Sequence, residues 1–360
     1  MSSFYPLQVT EVRRETPDCV SVALLPAPEV RAFFKFEAGQ YLTLRTKIDG
    51  EEVRRSYSLC VAPHEGEWRV AIKAVPGGKF SGFANRDLQV GDVLEAMPPQ
   101  GRFVLPARGG AKRHFVGIAA GSGITPILGL VRETLESEPD SSFTLFYGNQ
   151  DTQHIIFREV LQDLKDRFLG RFSLHFFLTR EPVEAPLFHG RIDGARLQKL
   201  RDAGFWAAET TNRFFLCGPE SMILGCKEAL LQAGVEESAI QFELFTTSGA
   251  GQAASAGPSV EVASGSGPIP VSIVLDGLTT EVKVQEGKTI MDAALDAGLD
   301  VPYSCLGGVC CTCRAKMTSG QAQMAINYAL EQREVEQGFV LTCQSRPVGA
   351  GPFVVDFDQQ

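Results

Sequence analysis

The sequence has 360 residues, of which 44% are hydrophobic and 21% are charged, and its formal net charge is −9. This length predicts two or three domains, and the apolar content is sufficient for hydrophobic cores, which excludes a disordered chain. An acidic chain without basic runs offers no footprint for phosphates, so nucleic acid is not expected as a partner. The sequence shows no secretory signal and no apolar run long enough to cross a membrane, so we expect a cytoplasmic protein without membrane contact.

Residues 1–110 consist of strand-like segments separated by Gly, Pro and Asp, such as QYLTLRTKI, RRSYSLCVA and EWRVAIKAV. This pattern predicts an antiparallel β-barrel. From 111 to 246 strand-like and helix-like segments alternate, beginning with RHFVGIAAG and PILGLVRETLES. Regular alternation predicts an α/β domain with a parallel sheet and helices on both faces.

Residues 247–269 are mostly Gly, Ala, Ser and Pro, and they predict a flexible linker because they cannot bury enough apolar surface to order themselves. The remaining residues, 270–360, form a third unit with more Asp and Glu than Lys and Arg. Its acidic character is interpreted either as a docking face for a basic partner or as ordinary solubility.

Four cysteines lie within nine positions, in CLGGVCCTC at 305–313. The spacing Cys305-x4-Cys310-x2-Cys313, followed at a distance by Cys343 in FVLTCQ, is typical of a plant-type [2Fe–2S] cluster. The sequence therefore predicts these four cysteines as the cluster ligands.

A zinc site and a set of free thiols both fit these cysteines less well than a cluster does. A structural zinc site uses two C-x2-C pairs, to which Cys305 and Cys343 do not belong, and unliganded cysteines at this density would oxidise. Gly307 and Gly308 permit the positive φ angles with which a loop can wrap a cluster. Cys311 is expected to be a neighbour of the cluster, with redox sensing as an alternative role.

Two motifs in the barrel segment point to a bound phosphate ester. On one predicted strand lies a run of four residues: Arg55, Ser56, Tyr57 and Ser58. Alone, it would describe a half-buried strand with an exposed arginine. GGKFSGFAN at 77–85 follows the next strand, and its Gly77, Gly78 and Ser81 could present amides and a hydroxyl to a pyrophosphate.

A glycine-rich turn, GSGITP at 121–126, joins a predicted strand to a predicted helix. Gly121 and Gly123 would let the backbone approach a pyrophosphate at the positive end of the helix, where Thr125 and Pro126 form the first turn. The motif lacks the third glycine of the Rossmann fingerprint.

These motifs in this order, together with Cys217-Gly218-Pro219, resemble the ferredoxin–NADP reductase superfamily over residues 5–245. The C-terminal unit resembles a plant-type ferredoxin, which implies an α+β (β-grasp) fold. The resemblance implies that Arg55 holds a flavin phosphate, that the Tyr57 ring lies along the flavin and that Ser58 hydrogen-bonds near its N5. Overall similarity favours FAD over FMN.

The resemblance also assigns roles in the second half. Cys217 would lie near the nicotinamide, although a buried structural cysteine is the alternative, and Glu243 and Phe245 would lie near the flavin. Thr179-Arg180-Glu181 matches a Ser-Arg-Glu in NADPH-using relatives, where the hydroxyl and the guanidinium hold the ribose 2′-phosphate. A plain surface arginine is the alternative there, and NADH is the less favoured coenzyme.

The assembled parts imply an oxidoreductase that passes electrons from NADPH through FAD and a [2Fe–2S] cluster to the oxygenase component of a multicomponent monooxygenase. Within the family, the resemblance is strongest to reductases that serve a di-iron ring epoxidase of phenylacetate catabolism. It rests on four short segments: GRID at 190–193, NYALE at 327–331, FVLTCQ at 339–344 and the terminal VVDFD. Alternatives are a reductase of another oxygenase such as a ketosteroid hydroxylase, a non-catalytic redox sensor, and a zinc-stabilised flavoprotein.

Overall fold

The computed structural model describes residues 4–108, 112–245 and 267–359. Phe4–Phe245 forms one compact unit, and the described residues from 267 onward belong to a second. The predicted linker, 247–269, lies outside the described residues except for its last three. Among the described residues, no helix has the length and apolar character needed to span a membrane.

An antiparallel sheet of six strands occupies residues 4–108. Its strands are β1 (Tyr5–Thr16), β2 (Cys19–Pro26), β3 (Tyr41–Ile48), β4 (Glu51–Ser58), β5 (Trp68–Lys73) and β6 (Val93–Ala96). They lie in the order β4-β3-β6-β1-β2-β5. Directly after β4, Leu59 pairs with Val70 of β5, and the Cys60 N–H donates to the Arg69 carbonyl at 2.9 Å. The two outer strands therefore meet, and the sheet closes into the predicted barrel.

One helix interrupts the strands and turns that the sequence pattern predicts for this segment. Lys79–Arg86 forms helix α1, with Gly78 at its N-cap. Phe80 and Ala84, one turn apart, are buried against the barrel. Eight residues are too few to display a helical period, so tertiary packing rather than local pattern accounts for this helix.

The second half of the unit is a parallel sheet with helices in its connections, as predicted. Its elements are β7 (His114–Ala120), α2 (Ile124–Ser137), β8 (Ser142–Asn149), α3 (Arg158–Arg167), β9 (Phe172–Leu178), α4 (Gly194–Asp202), β10 (Arg213–Cys217), α5 (Glu220–Gln232) and β11 (Ile240–Glu243). The strand order is β11-β10-β7-β8-β9. The chain winds outward from β7 in both directions, so a crevice opens beyond the carboxyl ends of β7 and β10, where ligands bind in such sheets.

The segment 186–190 pairs with the carboxyl end of β9, at the outer edge of this sheet. His189 forms a bridge to Leu178, and the Gly190 N–H donates to the Leu178 carbonyl at 2.8 Å. The Phe188 ring stacks on His175 with ring centroids 5.3 Å apart. These contacts fasten the segment against the strand.

The C-terminal unit has a mixed sheet of five strands in its described part, in the order β13-β12-β18-β14-β16, and a separate pair formed by β15 and β17. Its elements are β12 (Ile269–Leu275), β13 (Leu278–Val284), α6 (Ile290–Asp296), β14 (Arg314–Ser319), β15 (Gln321–Met324), α7 (Gln332–Glu336), β16 (Phe339–Leu341), β17 (Ser345–Val348) and β18 (Val354–Asp356). Thr289 and Asp292 form a capping box at the start of α6, whose Ile290 and Ala294 pack into the core. This is the predicted α+β unit.

Candidate functional site

The GSGITP turn lies at the carboxyl end of β7, beside the end of β10. Gly121 has φ +55°, and the Tyr147 hydroxyl donates to its carbonyl at 3.0 Å. The Thr125 hydroxyl donates to the Ser122 carbonyl at 3.0 Å, and Pro126 lies in the buried first turn of α2. These hydrogen bonds stabilise the turn, and the 14-residue helix α2 begins directly after it.

Gly123 and Cys217 show how closely the two strand ends approach. A Cβ added at Gly123 would lie 2.0 Å from the Cys217 carbonyl oxygen and 2.9 Å from the Gly218 nitrogen. Cys217 is fully buried, while Pro219 is exposed at the start of α5. The structure thus brings the two predicted nicotinamide motifs together, and only a glycine fits between them.

Lys73, at the end of β5, was not among the predicted site residues. A Cβ at Gly121 would be 4.0 Å from its ammonium nitrogen, which places a positive charge from the barrel beside the glycine turn. Its partner there is Asp18, at 3.5 Å. Such a cation suits a pyrophosphate, but nothing in the local sequence distinguishes Lys73 from an ordinary strand-end lysine.

The four-residue motif of the barrel lies at the carboxyl end of β4. Arg55 is exposed, and its guanidinium donates to the Arg54 carbonyl at 2.7 Å. Ser56 shares a 3.0 Å hydrogen bond with Thr43. The Tyr57 ring packs against Phe80 of α1, with centroids 5.4 Å apart, so the strand motif and the GGKFSGFAN motif lie together.

The loop before α1 is a tight turn in which the Gly78 N–H donates to the Val75 carbonyl at 2.9 Å, so the predicted presentation of the Gly78 amide to a pyrophosphate is wrong in this structure. Gly77 has φ +71°, and the next residue, Gly78, caps α1. Ser81 is buried; its hydroxyl accepts the Val75 N–H at 3.1 Å and donates to the Gly78 carbonyl at 3.4 Å. Ser81 therefore shapes the loop itself.

The barrel and the parallel sheet meet at Ser58 and Glu243. The Ser58 hydroxyl donates to Oε2 of Glu243 at 3.3 Å. Burial of the Glu243 carboxyl raises its pKa to about 8, and the hydrogen bond from Ser58 acts in the opposite direction. Glu243 is half-buried, and desolvation disfavours the charged form of its carboxyl. Phe245, two residues on, is 37% exposed.

Thr179 and Arg180 follow β9 and are tied to the end of β8. The Thr179 N–H donates to the Asn149 carbonyl at 3.1 Å, and the Arg180 N–H donates to the Gln150 carbonyl at 2.7 Å. Arg180 is exposed. Both residues lie at the carboxyl edge of the sheet, as do the glycine turn and Cys217.

The four predicted ligand cysteines form two pairs. The thiols of Cys305 and Cys310 are in hydrogen-bond contact, as are those of Cys313 and Cys343. Contact with Cys313 lowers the pKa of Cys343, against burial and the charge of Cys305, and contact with Cys343 together with burial raises the pKa of Cys313, to which Cys310 adds; the two pairs therefore lie near each other. The structure therefore assembles all four sulfurs from one loop and one distant turn.

Backbone amides surround these sulfurs. The Gly307 N–H donates to Sγ of Cys305 at 3.3 Å, and contact with Cys310 lowers the Cys305 pKa, against burial, with further lowering by backbone amides. The wrap requires positive φ at Leu306, Gly308 and Cys311. The Cys311 thiol donates to the Ala329 carbonyl at 3.1 Å. Amides directed at sulfur stabilise thiolate, the form that binds metal.

This donor set fits a [2Fe–2S] cluster, in which each of two irons takes two cysteines. Two sulfur pairs match that division.

Comparison with known proteins agrees with this organisation. Three family models match: an oxidoreductase FAD-binding domain at 7–105, an oxidoreductase NAD-binding domain at 118–228 and a 2Fe-2S iron-sulfur cluster binding domain at 273–348. A subunit of 1,2-phenylacetyl-CoA epoxidase from Escherichia coli (strain K12) is 40% identical over 99% of both chains. The chain belongs to the ferredoxin–NADP reductase superfamily, in the group with a C-terminal [2Fe–2S] domain.

Further relatives extend the comparison. The ferredoxin reductase component of 3-ketosteroid-9-alpha-monooxygenase from Mycobacterium tuberculosis is 30% identical over 95% of this chain and 92% of its own. Phthalate dioxygenase reductase has a similar fold, with a TM-score of 0.60 at 23% identity over 99% of this chain and 98% of that one. The predicted fold class, the flavin and iron–sulfur oxidoreductase activity and the cofactors FAD, [2Fe–2S] and a pyridine nucleotide are confirmed. As a reductase of this group, the chain delivers electrons to a separate oxygenase.

Proposed function

We propose that this chain takes electrons from NADPH and delivers them, in the cytoplasm, to the di-iron oxygenase of a phenylacetyl-CoA ring epoxidase, without nucleic acid or membrane as a partner. The observation that carries the proposal is the 40% identity, over 99% of both chains, to a subunit of such an epoxidase. We divide the chain into a flavin domain (1–110), a nucleotide domain (111–246), a linker (247–269) and a ferredoxin domain (270–360).

We assign the predicted site residues to the binding of the flavin and of the cluster. When bound, the flavin supplies the conversion of a hydride pair into single electrons that an iron–sulfur cluster can accept. Arg55 would bind its phosphate, Tyr57 would cover its ring, and the amide of Gly77 would face the pyrophosphate, since the Gly78 N–H already donates to the Val75 carbonyl. The four cysteines, Cys305, Cys310, Cys313 and Cys343, would hold the cluster.

The resemblance assigns three side chains, Cys217, Ser58 and Glu243, to the neighbourhood of the nicotinamide and the flavin ring. Cys217 is fully buried at the end of β10, and Ser58 bonds Glu243. With a pKa of about 8, the Glu243 carboxyl holds a proton at neutral pH. We assign to this group the retention of a proton near the reacting atoms, and to Cys217 the packing of the ring.

Arg180 is the proposed recognition residue for NADPH. Replacing it with alanine should raise the KM for NADPH about ten- to a hundred-fold, the effect of losing one charge-assisted contact, and leave the KM for NADH nearly unchanged. Arg201→Ala, an exposed arginine on α4, serves as the matched control. Equal effects of Arg180→Ala on both coenzymes would remove Arg180 from this role.

The partner is tested by reconstitution. Purified reductase, the oxygenase subunits of a phenylacetyl-CoA epoxidase, NADPH and phenylacetyl-CoA should give epoxide with matched NADPH consumption. The ketosteroid monooxygenase reductase, 30% identical, identifies the second candidate. If the epoxidase mixture is silent while a ketosteroid hydroxylase turns over with this reductase, the partner assignment is wrong.

A further inference from the structure

Glu181 follows Arg180 in the chain, and Asp151 follows Gln150, whose carbonyl accepts the Arg180 N–H; both acidic residues already have partners. The Thr152 hydroxyl donates to Oε2 of Glu181 at 2.6 Å. Asp151 accepts from the His154 imidazole nitrogen Nδ1 at 2.5 Å and from the His154 N–H at 3.1 Å. Within the described ranges, the Arg180 guanidinium forms no hydrogen bond or ion pair.

All of these contacts come from one short turn after β8. Residues Thr152–His154 form a 3₁₀ helix with Asp151 at its N-cap. The Arg180 N–H bonds the Gln150 carbonyl, which holds the turn against the end of β9. These backbone hydrogen bonds hold Thr152 beside Glu181 and do not involve the Thr152 hydroxyl.

The electrostatic consequence concerns the charge next to Arg180. If the Glu181 carboxylate were free to rotate, it could pair with the Arg180 guanidinium or repel a phosphate bound there. A free carboxylate at such a strand end is also suited to bind the 2′-hydroxyl of NADH. With Glu181 bound to Thr152, the guanidinium remains available to a phosphate.

We propose that Thr152 is a positioning residue that sets the coenzyme preference, because its hydroxyl holds Glu181 away from Arg180. This inference rests on the proposed use of NADPH and on Arg180 as the residue that binds the 2′-phosphate. Thr152 need not touch the coenzyme.

The test uses the full chain with ferricyanide as the electron acceptor, so that no oxygenase is required. Thr152→Val removes the hydroxyl and keeps the shape, whereas Thr152→Ser keeps the hydroxyl. In Thr152→Val we expect the KM for NADPH to rise about ten-fold, the size of one charge-assisted contact, with kcat nearly unchanged and the KM for NADH unchanged or lower. Thr152→Ser should behave as wild type.

The double variant Thr152→Val/Glu181→Gln separates this role from simple loss of structure. Removing the released charge should return the KM for NADPH to within about two-fold of wild type, which a disordered turn would not allow. Flavin absorbance, measured on every variant, reports that the chain is folded.

The outcomes distinguish the two levels of the proposal. If wild type does not prefer NADPH, or if Arg180→Ala affects both coenzymes alike, the coenzyme assignment fails and this inference fails with it. If wild type prefers NADPH and Arg180→Ala is selective, but Thr152→Val matches Thr152→Ser or is not rescued by Glu181→Gln, only the role of Thr152 is overturned.

Discussion

The Ser58 hydroxyl lies 3.3 Å from a carboxylate oxygen of Glu243, although 185 positions separate the two residues. Ser58 ends a barrel strand and Glu243 ends an outer strand of the parallel sheet. The hydrogen bond thus joins the last residues of two strands from different domains. A titratable group is held at this junction, where its protonation state can influence chemistry in both.

We predict that Glu243 controls the pH dependence of the flavin half-reaction. Because burial raises its pKa to about 8, the rate of NADPH oxidation by ferricyanide should show an inflection near that pH, and Glu243→Gln should abolish it. Ser58→Ala should move the inflection upward, since the Ser58 hydrogen bond lowers the Glu243 pKa. An unchanged inflection in Glu243→Gln would assign the titration to another group.

The same shift predicts a stability effect of defined sign. The ordinary glutamate pKa of 4.5 is raised to about 8 in the folded chain, so the folded state favours the protonated carboxyl. Stability that is present below pH 4.5 should be lost progressively as the pH rises to 8. Melting temperatures of wild type and Glu243→Gln should therefore diverge over that window, with the variant the more stable at its upper end.

The cysteine pairs predict unequal effects of two similar substitutions. Cys343 contacts Cys313, whereas Cys311 donates to the Ala329 carbonyl, which a serine hydroxyl could replace. Cys311→Ser should keep the visible charge-transfer absorption and the iron and sulfide content, and Cys343→Ser should lose both. Equal loss in the two variants would show that the ligands are misassigned.

Gly123 predicts a steric effect. Its added Cβ would meet backbone atoms of Cys217, which cannot rotate away, so Gly123→Ala should cost about 1–3 kcal/mol of unfolding free energy in urea and weaken NADPH binding. Gly170→Ala is the control, because a Cβ there meets nothing within 4 Å. If both variants match wild type, the strand ends are not held as closely as described.

His64 predicts a small pH-dependent link between the barrel and α2. Its ring nitrogens lie 3.3 Å from Glu133 and 3.0 Å from Glu136, both on α2. Burial of the ring disfavours its charged form, but the hydrogen bonds to the two glutamates outweigh this effect and raise the His64 pKa. The contribution should be complete below pH 6.5 and lost as the pH rises through the raised value. Since the side chain is 42% exposed, we expect at most about 1 kcal/mol.

The comparison is the unfolding free energy of wild type and His64→Gln at pH values of about 5.5 and about 8.5, on either side of the ordinary histidine pKa. A deficit in the variant at the lower pH that disappears at the higher one is the expected result. If the unfolding free energy of His64→Gln were reduced by the same amount at both pH values, the effect would come from the packing of the side chain and not from its charge.

The parts of the fold that can be predicted are those marked by a pattern within a short stretch of sequence. The alternation of strands and helices indicates the parallel sheet, and the spacing of Cys305, Cys310 and Cys313 alone indicates the cluster. Glycine-rich turns are similarly visible, because Gly121 and Gly77 adopt backbone angles that most residues avoid.

The parts that were not predictable depend on contacts between distant residues. Helix α1 is too short to show a period and exists because Phe80 and Ala84 pack on the barrel. The nearness of Lys73 to Gly121 follows from how the barrel meets α2 and β7, and no local pattern contains it. The Thr152–Glu181 contact likewise depends on the pairing register of β8 and β9, which brings the ends of these two strands side by side.

The segment 186–190 has a consequence for self-association. The outer strand with which it pairs reads FSLHFFL, an uncharged, aromatic-rich sequence of the kind that templates pairing between chains when its edge is open. By pairing with Leu178 and stacking Phe188 on His175, the segment occupies the carboxyl end of that edge. The length of strand open to pairing with a second molecule is thereby reduced, which is one way in which proteins limit association between sheet edges.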